Sequence, residues 1–194
     1  MTILRAALAA IVFSSFASSA SADPIKLTPA DPQPAADALA EGLAVSYAYP
    51  PEIKTLRNAD FYAKKAEPGE PLIGFDYPDT LKGENVMTAE RSTLVVAVIS
   101  GFLKFDDPGV YELDFTSNDG LKVTIGGEEV SRYDGRHPCE NAGAVEVEVP
   151  TAGWYPVDAT YFQRLGTSCL LAEWAPLGEE LDWVPNENTA YLKE

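Results

Sequence analysis

Ser117-Asn118-Asp119-Gly120-Leu121-Lys122-Val123-Thr124-Ile125-Gly126-Gly127 is the stretch that decides how this chain is read. Leu121, Val123 and Ile125 alternate with Lys122 and Thr124, the period of two expected of a strand with one face buried and one wet. Gly126-Gly127 supplies two successive residues free to take positive φ, which a tight hairpin requires. Ser117 to Gly120 is a polar tip between two apolar runs. The expectation is turn, strand and hairpin in immediate succession.

The same alternation recurs on either side. Tyr111, Leu113 and Phe115 share a face opposite Glu112 and Asp114, and Val145, Val147 and Val149 alternate with Glu146 and Glu148. Leu94 to Ile99 is a β-branched run of the kind found in buried strands. Asp106-Asp107-Pro108-Gly109 reads as the turn that follows it. Leu43 to Tyr49 reads as an earlier strand, stopped by Pro50-Pro51. Between Ile53 and Thr88 the prolines and glycines at 68, 69, 71, 74, 78 and 83 break the chain into loops, and the pattern does not locate its strands. Short strands between turn signals, without a long helical period, predict an all-β fold: an antiparallel β-sandwich or flattened barrel with little helix.

The N-terminal segment reads as a signal peptide over residues 1–22. Arg5 gives a positive start, Ala6 to Ala17 an apolar run, and Ala20-Ser21-Ala22 the small residues that precede cleavage before Asp23. The run is too short, and too interrupted by serines, to span a membrane. Residues 23–41, with Pro24, Pro29, Pro32 and Pro34, read as a Pro/Ala-rich leader with one helical turn near Ala35 to Ala40. A single domain then occupies 42–194. Removing 22 of the 194 residues leaves 172, enough for one substantial core. The mature chain carries 13 basic and 30 acidic residues, a net charge of −17. That balance argues against nucleic acid and anionic membrane surfaces as partners. The predicted location is the periplasm or beyond.

Cys139 and Cys169 are the two cysteines, and in an oxidising compartment they are expected to form a disulfide. With His137 they make a poor zinc set, being too few and lacking a CxxC spacing. No nucleophile motif, phosphate-cradling loop or marked carboxylate pair is visible, so the chain is not read as an enzyme.

Taken together, the motifs resemble the PA-fourteen domain shared by protective-antigen toxins, bacterial β-glucosidases and yeast flocculin adhesins. In that family a strand ending in an aromatic leads into Ser-Asp-Asp-Gly, an alternating strand, and then Asp-Gly or Gly-Gly. Tyr111 to Phe115, Ser117 to Gly120, Leu121 to Ile125 and Gly126-Gly127 stand in those places. Ala152-Gly153-Trp154-Tyr155, Tyr161-Phe162 and the slightly stretched Leu171 to Pro176 match later motifs, and Gly42-Leu43 with Tyr47 an opening one. The resemblance runs from Gly42 to Leu192 and is strongest from Ser100 to Trp174.

The resemblance implies a sandwich that binds carbohydrate. In its flocculin branch two adjacent aspartates hold a calcium that contacts sugar hydroxyls, and the matching positions here are Asn118 and Asp119. Asn118 keeps a carbonyl oxygen but lacks a charge, so calcium is expected to bind more weakly than in that branch. The ligand-binding set expected on these grounds is Asn118, Asp119 and Gly120 at the tip, with Tyr133, Asp134, Arg136 and His137 as a second wall. A local reading stands beside it. The tip is then a turn with self-bonded side chains and positive φ at Gly120, and His137 belongs to a surface loop pinned by the disulfide. Trp154, Tyr155, Tyr161 and Trp174 have the chemistry to stack on sugars, but strand aromatics are more often core. The expected partner is a glycan or cell-surface polysaccharide, and the alternative is a protein bound on the same scaffold.

Overall fold

The computed structural model describes residues 23–193; the expected signal peptide lies outside the described residues. In chain order the strands are β1 (Ile25–Lys26), β2 (Leu39–Glu41), β3 (Ala44–Ala48), β4 (Glu67–Pro68), β5 (Asp76–Tyr77), β6 (Val95–Phe105), β7 (Gly109–Ser117) and β8 (Gly120–Ile125). They continue as β9 (Glu128–Tyr133), β10 (Glu140–Asn141), β11 (Val145–Val149), β12 (Gly153–Gln163), β13 (Leu170–Pro176), β14 (Asp182–Trp183) and β15 (Thr189–Leu192). One α-helix, α1, spans Leu56–Ala63. The expected strands are all present, and they form two separate sheets rather than a closed barrel.

The first sheet runs β1-β11-β7-β13-β14, with β10 beside β7 and β5 beside β13. The second runs β2-β15-β6-β12-β8-β9, and β3 and β4 extend it from β6. Pairing is antiparallel except where β1 lies parallel to β11. The long β6 and β12 pair through eleven registered positions, from Gly153 opposite Phe105 to Gln163 opposite Val95. Each strand directs its apolar set inward, so Leu113, Phe115, Val147 and Ala172 of one sheet meet Val123, Ile125, Val157 and Tyr161 of the other. Phe105 is the aromatic hub, with Tyr155 at 5.3 Å, Tyr111 at 5.1 Å and Trp174 at 5.0 Å between ring centroids. The Tyr155 and Tyr111 rings meet Phe105 edge-on and the Trp174 ring is tilted; edge-on pairs add about 0.5–1.5 kcal/mol each beyond their burial. Tyr155 and Tyr161 are fully buried in the core, and Trp174 is half-buried against it.

The predicted hairpin is present: Gly126 and Gly127, at φ 57° and 85°, join β8 to β9. On the outer face of the first sheet, Glu112 stands opposite Glu146 and Asp114 opposite Glu173. Like charges face each other there across neighbouring strands.

Two regions differ from the sequence reading. The 23–41 segment is packed onto the sandwich rather than free of it. Leu27 is buried in the core, β1 and β2 pair with β11 and β15, and Gln33 exchanges side-chain hydrogen bonds with the Trp154 backbone. The expected helical turn is a 3-10 turn at Ala36–Ala38. In the 53–90 stretch, where the sequence pattern does not locate the strands, the short β4 and β5 form, and α1 forms where no helix is expected. The Thr55 hydroxyl caps it by accepting from the Asn58 amide, and Leu56 and Ala59 pack on Val96 and Phe162.

Candidate functional site

The site lies at one end of the sandwich, where β7 turns into β8 through Asn118 and Asp119. Register places the opposite walls. Phe162 of β12 stands opposite Gly120, and β12 ends at Gln163, so that Arg164 follows beside the turn. Cys169, just before β13, is joined to Cys139 with Cα atoms 6.0 Å apart, so the expected disulfide is present. It fastens the 133–141 loop over the turn, and the Asp119 amide donates to the His137 carbonyl at 3.2 Å.

Asn118 points inward. Its Oδ1 accepts from the Tyr161 hydroxyl at 2.7 Å and the Cys169 amide at 2.8 Å. Its Nδ2 donates to the Thr167 carbonyl at 2.7 Å and to the Gln163 side-chain oxygen. A backbone N–H can only donate and a backbone C=O can only accept, so these two neighbours fix which way the amide faces. Both ends of the side chain are occupied inside the protein, and the residue is buried. Gln163, wholly buried, completes the network by donating to Thr167 at 2.6 Å.

Positive φ in this turn belongs to Asp119, at 51°, and not to Gly120. A short polar side chain tolerates the left-handed region better than most. Gly120 is required for a different reason: a β-carbon there would lie 2.0 Å from the Phe162 ring. The Asn118–Asp119 peptide is trans, the one cis bond among the described residues being Asp31–Pro32.

Asp119 Oδ2 accepts from the Arg164 amide at 2.6 Å, and among the described residues nothing donates to its Oδ1. Burial pushes this carboxyl above the ordinary aspartate range. The Arg164 hydrogen bond and the fields of His137, Arg164 and Arg136 oppose that shift. Asp119, Arg136, His137, Arg164 and Leu165 line an open cleft of about 350 Å³. Arg164 also bonds Glu52 through Nε at 2.9 Å, which holds the Glu52 carboxyl below its usual range.

His137 is held more tightly than a surface loop requires. Its ring stacks on Tyr133 with centroids 3.6 Å apart, and only 4% of its side chain is exposed. Nδ1 lies 2.8 Å from the Pro138 carbonyl, so that nitrogen carries the hydrogen. Nε2 is buried and has no partner among the described residues. Such an orphan beside a cleft marks a place where a ligand can satisfy the protein.

The structure thus brings Asp119, Arg136 and His137 to one cleft, with Gly120 beneath it and Tyr133 behind His137. Asn118 and Asp134 face elsewhere. The Asp134 carboxylate accepts from the Leu56 amide at 2.7 Å and tethers the start of α1. Arg164, Leu165 and Glu52 were not anticipated. They lie far from the tip in sequence: the register of β12 brings Arg164 and Leu165 close, and Glu52, between β3 and α1, joins them through its bond to Arg164. Gln163 did leave a trace, as a polar residue closing the apolar end of β12.

Calcium takes six to eight oxygen ligands. At this turn the Asn118 oxygen is already bonded twice, one Asp119 oxygen is bonded, and the neighbouring side chains are cationic. The residues do not fit that ion. Among the described residues the one cluster of three metal-ligating types is Asp79 with Cys139 and Cys169, whose sulfurs are bonded to each other.

A family model, the PA14 domain, matches residues 55–190. Among solved structures the chain is similar to the PA14 domain of the MpAFP antifreeze protein, with TM-score 0.68 and 13% identity over 81% of this chain and 94% of that one. It is also similar to a PA14 sugar-binding domain from an RTX adhesin, with TM-score 0.63 and 15% identity over 78% and 99%. A third is the epithelial adhesin 9 A domain from Candida glabrata, solved in complex with Galb1-3GlcNAc, with TM-score 0.63 and 17% identity over 87% and 96%. No curated protein matches the chain.

Proposed function

The chain belongs to the PA14 domain family, and on that premise we propose that it is an exported, non-catalytic carbohydrate-binding module whose ligand enters the Asp119 cleft without calcium. One observation carries this reading. Two acceptors, Asp119 Oδ1 and His137 Nε2, are held without protein partners beside an open cleft between two secured walls. Saccharide hydroxyls are donors of the kind such acceptors need, and the sugar-binding PA14 relatives make the reading specific. Export rests on the pattern of residues 1–22; no helix among the described residues is long and apolar enough to cross a membrane.

The test is a glycan array on the folded protein, with calcium and with chelator, followed by calorimetry on Asp119→Asn. The variant keeps an oxygen for the Arg164 amide and loses the charge. A glycan signal that chelator leaves intact and Asp119→Asn weakens at least tenfold supports the reading. Binding by Asp119→Asn as tight as wild type would remove the cleft from the function and put a protein partner first.

A further inference from the structure

We infer that the saccharide this cleft takes is an acid, a sugar bearing a carboxylate. This rests on the carbohydrate reading and adds the ligand's charge. Of the five residues lining the cleft, two are arginines and only one is acidic. The chain as a whole carries 30 acidic residues against 14 basic ones, so this grouping runs against its composition. Arg136 is exposed, and among the described residues no acceptor engages its guanidinium. Arg164 gives only Nε to Glu52, which leaves its two terminal nitrogens as donors. Neither arginine forms an ion pair within 4 Å of Asp119 among the described residues, although both project their charge onto it.

The cleft therefore presents two unspent functions at once. Asp119 Oδ1 and the buried His137 Nε2 accept hydrogen bonds; the two guanidinium groups donate them in the planar geometry that suits a carboxylate. A neutral sugar would use only the acceptors. A simple anion would use only the donors and would meet Asp119 as a like charge. A hydroxylated acid uses both, its carboxylate toward Arg136 and Arg164 and its hydroxyls toward Asp119 and His137.

Trigalacturonate and its fully methyl-esterified form are the probes, because they differ in charge and little in shape. Calorimetry and amide-shift mapping on the folded protein should show the free acid binding about tenfold more tightly than the ester, with shifts at Asp119, Arg136 and Leu165. Arg136→Ala, which removes an exposed side chain that bonds no protein group among the described residues, should erase that preference, and Arg136→Lys should restore part of it. Equal affinity for acid and ester would overturn the inference while leaving the carbohydrate reading standing. A preference that survives Arg136→Ala, or shifts confined to other surfaces, would overturn it too. Binding of neither probe would also overturn it, and the array of neutral glycans would then decide the broader reading separately.

Discussion

Gly120 of β8 and Phe162 of β12 stand opposite each other, and the Phe162 ring fills the space where a side chain at 120 would project. The ring in turn packs on Val96 and on Leu56 and Ala59 of α1, so it cannot retreat. Gly120→Ala should destabilise the domain by about 1–3 kcal/mol, the range for overpacked cores. Urea unfolding would measure it. The double variant Gly120→Ala/Phe162→Leu should cost less than the sum of the two single changes.

Asn118→Asp should unfold the domain more easily by about 3–5 kcal/mol, the range for an unpaired buried charge. The new oxygen would face the Thr167 carbonyl and the Gln163 side-chain oxygen, both of which need a donor. Restoring the carboxylate pair of the flocculin branch therefore should not create a calcium site. Melting temperatures with calcium and with magnesium would check this: a calcium-specific rise in the variant would contradict it.

Asp119 should make the fold less stable as pH rises. Its carboxyl is raised in the folded state, so the folded protein holds that proton at a pH where the unfolded chain has released it. The Asp119 contribution is greatest below the ordinary aspartate value, near 3.9. It declines as pH climbs through the raised one. Asp119→Asn should abolish that slope, and denaturant titrations of both proteins between pH 3.5 and 7 would show it. Glycan affinity should move the opposite way and fall on acidification, because the ligand needs the ionised form.

Reducing Cys139–Cys169 should cost about 3–4 kcal/mol in the chain-entropy model, given its sequence separation of 30. It should also weaken glycan binding, since the bond fastens the loop bearing Arg136 and His137 to the start of β13. Thermal melts and calorimetry with and without reductant would separate the two effects. Unchanged affinity in the reduced, still folded protein would mean the loop holds its place without the bond.

Alternation made the sandwich legible. Tyr111 to Phe115, Leu121 to Ile125 and Val145 to Val149 each carry their facing in their order of residues, and Gly126-Gly127 announces its own hairpin. The helix was less visible because eight residues give barely two turns of pattern. Its marks were the Thr55–Asn58 cap and the Leu56–Ala59 spacing, set among prolines and glycines that read as loop. Proline content also disguised the 23–41 segment. Its attachment depends on Leu27 and Gln33 finding partners more than a hundred residues away. At the site, the tip and the Arg136–His137 loop were visible as polar punctuation. The inward turn of Asn118 and the arrival of Arg164 were not, since both depend on how β12 registers against β8.

The facing acids on the outer sheet bear on any metal experiment with this protein. Glu112 opposite Glu146 repels across the strands, and dissolved cations relieve that repulsion wherever they gather, whereas Asp114 opposite Glu173 is buried and bonded to Asn141 and the Gly143 amide. Millimolar calcium should raise the melting temperature through its ion atmosphere alone, with no coordination anywhere. Magnesium at equal concentration should do the same, and sodium chloride should approach it at higher strength. Only the margin by which calcium outdoes magnesium reports a ligand cage.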